Sequence, residues 1–225
     1  MAAEPAGQPR LRKDAELNRH RIIAAAREVF RDRGIGATLN DVAHHAGVGV
    51  GTVYRRFSDK EELVDALFED MVDTIDGYVR AALAEPDAWA GLTVCLGKVC
   101  EVQAFDRGLR EVMLGTGRGP QRQAQMRERI GPAVGKLVAR AQQQGTLRDD
   151  IVPRDLPVLQ LMVGAVTEHA GQPEQWRRYL ALLIDGLRTR PGTAPLPGFR
   201  GSEDELQEAI VVSSTRQARS RAAGG

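Results

Sequence analysis

A chain of 225 residues, 42% apolar and 27% charged, is long enough to bury a sizeable core in one or two domains. No apolar run approaches the roughly 18 residues that a membrane helix requires, and no signal segment is apparent, so the chain is expected to be cytoplasmic and to make no membrane contact. A net charge of +1 hides an asymmetry: residues 1–60 hold 11 Lys/Arg against 7 Asp/Glu, while the remainder holds 20 against 23. Aromatics at 4%, abundant Ala, Leu, Arg and Glu, and the lack of sustained strand alternation predict an all-α protein with a basic end suited to a polyanion.

Residues 1–14 mix Ala, Pro, Gly and Arg without periodicity and are expected to form a flexible arm. From 15 to 33, Leu17, Ile22, Ile23, Ala26, Val29 and Phe30 recur at helical intervals, and Gly34 ends that helix with Ile35 packing beneath it. Thr38 followed by Asp41 has capping-box spacing and opens a short helix near Leu39. Gly47 then supplies a left-handed turn at no steric cost, so this helix stops near Ala46. Val42, Ala46, Val48, Val53 and Phe57 provide apolar contacts on both sides of the turn, and small Ala43 permits a close crossing. Two short helices joined by such a turn constitute a helix-turn-helix.

The second of them, residues 50–57, carries Gly51 in its first turn, where glycine costs up to about 1 kcal/mol relative to alanine. A missing side chain there suits close approach of a base edge if the helix lies in a major groove. Val50 then faces a thymine methyl, Thr52 a base edge or phosphate, and Tyr54, Arg55 and Arg56 the backbone. Ser58 with Glu61 predicts a further capping box, yet Lys60 places a cation in that helix's first turn, against the macrodipole, where a phosphate would resolve the conflict.

Residues 21–64, RIIAAAREVFRDRGIGATLNDVAHHAGVGVGTVYRRFSDKEELV, resemble the N-terminal domain of TetR/AcrR-like bacterial transcriptional regulators. An amphipathic helix, a glycine spacer before Thr38, then A-G-V, G-T-V-Y, an aromatic and K-E-E-L all fall in register. The resemblance implies that Thr38 and Asn40 start the supporting helix at the DNA, that Val50, Gly51 and Thr52 meet base edges, and that Tyr54, Arg56 and Lys60 grip phosphates. One departure is Gly49, where many relatives carry a capping serine; glycine remains an acceptable N-cap. Arg55 and Arg56 replace the histidine or aromatic often found there, which leaves their division between bases and phosphates open.

The helix opened at residue 58 continues through Leu63, Leu67, Phe68, Met71, Ile75 and Val79, longer than a three-helix head needs. In the resembling family such a helix transmits ligand state to the DNA. Glu85-Pro86-Asp87 marks a break before a helix over 89–105, with Leu92, Leu96, Val99 and Val102 on one face. A short helix over 107–114 and a glycine-rich loop over 115–120 follow; the loop succeeds no strand and lacks Lys-Ser/Thr, so it is no phosphate cradle. Residues 121–144 are helical in composition, with Gly131-Pro132 as a kink or boundary and Gly145 as a stop. Asp155 is expected to cap the next helix, whose stripe is Leu156, Leu159, Val163 and Val166, and Pro173 to open the last, with Trp176, Tyr179, Leu180, Leu183, Ile184 and Leu187. The resemblance makes this last pair half of a four-helix dimer interface, through Leu159, Val163, Val166, Tyr179, Leu180, Leu183, Ile184 and Leu187. From Pro191 onward composition predicts a flexible tail, apart from a short helix around 203–211.

The expected organisation is thus an arm (1–14), a helix-turn-helix domain (15–62), a helical effector-binding and dimerisation domain (63–189) and a tail (190–225). Its expected function is sequence-specific regulation of transcription, as a homodimer on a double-stranded palindromic operator. The favoured form is a repressor released by a small-molecule effector; the alternative is an effector-independent DNA-binding protein or an activator of the same fold. An enzyme is disfavoured: Asp149, Asp150, Asp155, Glu168 and His169 have no triad or metal spacing and read as caps and solvated faces. Cys95 and Cys100 lack Cys-x-x-Cys spacing and a nearby histidine, and read as buried free thiols. No cofactor and no metal is expected.

Overall fold

Apolar residues at three- and four-residue intervals decide which face of each helix turns inward, and they do so along nearly the whole chain. The computed structural model describes residues 8–105, 118–169 and 174–198. Within them the order is α1 (Gln8–Arg33), a 3-10 turn (Gly34–Gly36), α2 (Leu39–Ala46), α3 (Val50–Arg56), α4 (Lys60–Ala84), α5 (Ala88–Phe105), α6 (Gly119–Gln143), α7 (Asp155–His169) and α8 (Gln175–Leu187). Among the described residues there is no strand, only an isolated antiparallel bridge between Leu147 and Arg188.

Ile22, Ala26, Phe30, Val42, Ala43 and Val53 are fully buried where α1 crosses α2 and α3. The same cluster runs without interruption through Leu63, Leu67 and Val72 of α4 into Leu92 and Leu96 of α5 and Leu137 and Val138 of α6. One helix, α4, therefore belongs to both ends of the molecule. Its partner α5 approaches closely at Gly91: a Cβ there would lie 2.5 Å from the Ala82 carbonyl oxygen, so only glycine fits. A smaller cluster of Cys100, Val163, Trp176 and Leu180 holds α7 and α8 against α5. Both cysteines are free and buried, and burial pushes each thiol up to about 11.

Several expectations shift. α1 begins at Gln8, so seven residues assigned to the arm are helical. Leu17, placed on the buried face, is 61% exposed. Gly131-Pro132 does not end α6, which runs through Pro132; this exposed proline removes one N–H from the helical ladder. Asp155 is the first residue of α7 rather than its cap, its carboxylate accepting the Val152 N–H at 2.9 Å.

The tail is also held further than composition predicted. Thr189 N–H donates to the Thr146 carbonyl, Arg148 to the Ala194 carbonyl at 2.9 Å, and Leu196 N–H to Asp150 at 2.8 Å. These bonds fold the chain after α8 back onto the turn after α6, and the Arg148 guanidinium holds the Asp150 carboxyl well below its usual range. The short helix expected over 107–114, most of the glycine-rich loop, the packing of Ile35, Pro173 and the helix around 203–211 lie outside the described residues.

Candidate nucleic-acid interface

The supporting helix α2 starts as its sequence dictates. Thr38 Oγ1 accepts the Asp41 N–H at 3.2 Å, Asp41 takes the Thr38 N–H at 2.9 Å, and the Thr38 hydroxyl donates to the same carboxylate at 2.6 Å. These bonds from Thr38, aided by Arg33 at 2.6 Å, hold the Asp41 carboxyl below its ordinary value. The Thr38 hydroxyl is therefore occupied inside the protein, while Asn40 is exposed beside it. Gly47 adopts φ +63, closing α2 in the left-handed conformation. Arg21 donates to the Ala46 carbonyl at 3.2 Å, and His45 lies 2.6 Å from Glu28, so α1 braces the far end of the turn.

Helix α3 then presents an unusual surface. Gly49 is its N-cap, in extended backbone and without a side-chain cap. Val53 is fully buried and Phe57 nearly so, and they anchor the inner face. Outward stand Val50, 44% exposed, and Tyr54, 50% exposed, beside exposed Arg55 and Arg56. Thr52 is half-buried, and its Oγ1 accepts from Arg55 at 3.3 Å. Gly51 is exposed, and a Cβ built there meets nothing within 4 Å. Nothing inside the protein therefore requires glycine at this position. Its helical cost has no return from a contact within the protein.

Lys60 departs from expectation. The cap of α4 is Asp59, whose Oδ1 accepts the Glu62 N–H at 2.8 Å, while Ser58 N–H donates to Glu62 Oε2 at 2.6 Å. The capping pair is thus Asp59 with Glu62, one residue beyond the expected Ser58 with Glu61. Lys60 occupies the first helical position with its ammonium 5.4 Å from the centre of the buried Phe30 ring. Burial pushes its pKa down, with Glu61 opposing the shift. The cation against the macrodipole accordingly has part of its explanation within the protein.

The expected dimer residues divide. Val163, Leu180 and Leu187 are buried inside the chain, and Leu159, Val166, Leu183 and Ile184 are half-buried. Leu159 and Ile184 pack on the main core and Leu183 on the smaller cluster. Of the eight, only Tyr179 is well exposed, at 40%. Three of the stripe chosen from sequence are thus buried within the chain, and the other five keep accessible surface. Met162 (51%) and Leu182 (59%) on the outer face are the large apolar side chains left in water beside it. They were findable as a second set of apolar positions, each three residues from a chosen one, but periodicity does not say which of two apolar faces turns inward.

Among the described residues no His/Cys/Asp/Glu cluster could hold a metal ion, and no helix is long and apolar enough to cross a membrane.

Comparison with known proteins agrees with this geometry. Residues 22–67 match the family described as bacterial regulatory proteins, tetR family, and residues 87–189 match the C-terminal domain of SbtR-like transcriptional regulators. A crystal structure of a TetR transcription regulatory protein from Mycobacterium vanbaalenii is similar at 31% identity and a TM-score of 0.62, over 80% of this chain and 99% of that one. The regulator TtgR of Pseudomonas putida is 39% identical over 79 residues, 35% of this chain and only 38% of that relative. The regulator FadR of Bacillus subtilis, solved in complex with stearoyl-CoA, shares the fold at 21% identity and a TM-score of 0.59, over 74% of this chain and 98% of that one.

Proposed function

The chain belongs to the tetR family of bacterial regulatory proteins, DNA-binding transcriptional regulators rather than enzymes, and from that premise we propose that it is a repressor released from a palindromic operator by a small-molecule effector. In this reading Val50, Gly51 and Thr52 address base edges, and Tyr54, Arg55, Arg56 and Lys60 hold phosphates, with Thr38, Asn40 and Gly49 at the entries to the two helices. Gly51 carries the reading, because its missing side chain answers to no contact within the protein.

One small reading module buries only roughly 600–1,000 Å², so specific binding at physiological salt calls for two. A second copy docking on the outer face of α7 and α8, at Met162, Tyr179 and Leu182, supplies the other module. The pair then reads half-sites about 34 Å apart, or a multiple of that. The helical body, residues 63–189, is the place for an effector, as it is the layer outside the reading helices and FadR of the same fold was solved with stearoyl-CoA. An effector acts by favouring a conformer whose modules no longer match successive grooves, and coupling of about 1–3 kcal/mol suffices.

The test is selection of bound duplexes from random-sequence DNA, followed by mobility shifts at moderate salt. Enrichment of a near-palindrome supports the reading; failure to enrich any sequence overturns it. Thermal shift against a metabolite panel then separates effector-released repression from effector-independent binding, since a ligand at 100 times its Kd stabilises by about 2.7 kcal/mol.

A further inference from the structure

Along α4 the acids Glu61, Asp65, Glu69 and Asp73 recur every four residues, which sets them in one row on one face of the helix. Opposite them come Arg118 and then Arg122, Gln125 and Arg129 of α6. Arg118 donates to Asp65, Gln125 to Glu69 at 2.5 Å, and Arg129 to Glu69 at 3.0 Å and to Asp73. These outer rungs are exposed and screened, and ion pairs of that kind contribute little.

Arg122 is different. Although permanently charged, it is 2% exposed. Its Nε donates to Asp65 Oδ1 at 2.8 Å, and its Nη2 to Glu61 Oε2 at 2.7 Å and to the Glu61 carbonyl at 3.5 Å. A buried guanidinium is a poor source of net stability, because desolvation offsets the attraction, yet breaking either pair while it stays buried is strongly unfavourable. The planar fork also fixes orientation in a way that a lysine does not. What it grips is the first turn of α4: Glu61 follows Lys60 and lies two residues after the Asp59 cap, immediately beyond α3.

We propose that Arg122 is a positioning residue for DNA reading, fixing through Glu61 and Asp65 the angle of the α3–α4 junction against α6 and thereby the separation of the two recognition helices in the dimer. The inference rests on the reading of the chain as a dimeric DNA-binding regulator. Arg122 touches no DNA in this scheme; it acts by making the start of α4 and the start of α6 move as one piece.

The experiment measures binding of the full chain to a duplex panel built from its selected operator, with one or two base pairs inserted or deleted between half-sites. The wild type should prefer one spacing. In Arg122→Met that preference should flatten or move, and affinity at the original spacing should fall on the order of tenfold. The slope of log Kd against log salt should not change, because no phosphate contact is lost. A merely structural arginine would lower the melting temperature and leave the spacing profile of the folded protein as it was, and that result overturns the inference. If Arg122→Met loses its helical signal, Arg122→Lys keeps the buried charge without the planar fork and should move the profile in the same direction; an unmoved profile there overturns it equally. A wild type that binds no duplex overturns the regulator reading itself and this inference with it, whereas a wild type that binds beside variants of unaltered spacing overturns this inference alone.

Discussion

Among the places where large apolar side chains stand in water, α3 and the α7–α8 pair differ in what surrounds them. On α3, Val50 and Tyr54 stand among Arg55 and Arg56, with a bare backbone at Gly51 between them. On α7 and α8, Met162, Tyr179 and Leu182 have two charged neighbours engaged within the chain: Arg177 pairs with Glu101 at 2.9 Å and with Glu174 at 2.5 Å, and Asp185 pairs with Arg190. The first surface is a mixture of cations and apolar tips that suits a polyanion with groove edges. The second has Arg177 and Asp185 paired within the chain and suits another apolar face. The charge around an exposed apolar residue, more than the residue itself, tells which kind of partner it awaits.

The contrast is broken most severely by making the second surface resemble neither. Met162→Glu/Leu182→Glu should give a monomer by sedimentation with unchanged helical circular dichroism, and operator affinity should fall by at least about 100-fold as one module is lost; a variant that stays dimeric sinks the assignment of this face. Gly91→Ala should act on the framework beneath both surfaces. With the Ala82 carbonyl oxygen 2.5 Å from the new carbon, overpacking should cost about 1–3 kcal/mol in urea unfolding. Gly51→Ala sharpens the comparison by parting two quantities: thermal stability should rise by up to about 1 kcal/mol, while operator binding weakens by about 1–3 kcal/mol, the size of a base contact. Stability and affinity rising together would remove α3 from the DNA.

Lys60→Ala should weaken all duplexes alike, reduce the salt slope by about one, and lose about 0.5–1 kcal/mol of stability from the contact with Phe30. The smallest effect concerns Asp41. Its carboxyl lies below the ordinary value in the folded state, so its contribution is present above the unfolded pKa and is lost as pH falls through the folded one. Asp41→Asn should accordingly narrow the gap between melting temperatures at neutral and strongly acidic pH, and an unaltered gap would mean that the Thr38 box is not responsible.

How far the chain could be read without its fold depended on the range of the interactions concerned. Thr38 and Asp41 are three residues apart and Gly47 needs only its own backbone, so the turn between α2 and α3 was legible to the residue. The start of α4 was not. Ser58 with Glu61 and Asp59 with Glu62 satisfy the same local pattern, and what separates them is distant: Glu61 is held by Arg122, far along the chain on α6, which leaves Glu62 to complete the cap. The contact of Lys60 with Phe30 was illegible for the same reason, because that ring lies beneath it only after α1 has folded across α4.

Sequence by itself determined the all-α architecture and the helix-turn-helix, because helical periodicity, caps and glycine turns are properties of a few consecutive residues, and the family was legible as a resemblance of residues 21–64. Only the tertiary structure decided which apolar stripe of α7 and α8 is core, which acid caps α4 and where the one buried arginine among the described residues finds its counter-charges. Those outcomes depend on which of several locally equivalent faces meets a partner far away in the chain, and burial against that partner is what breaks the tie.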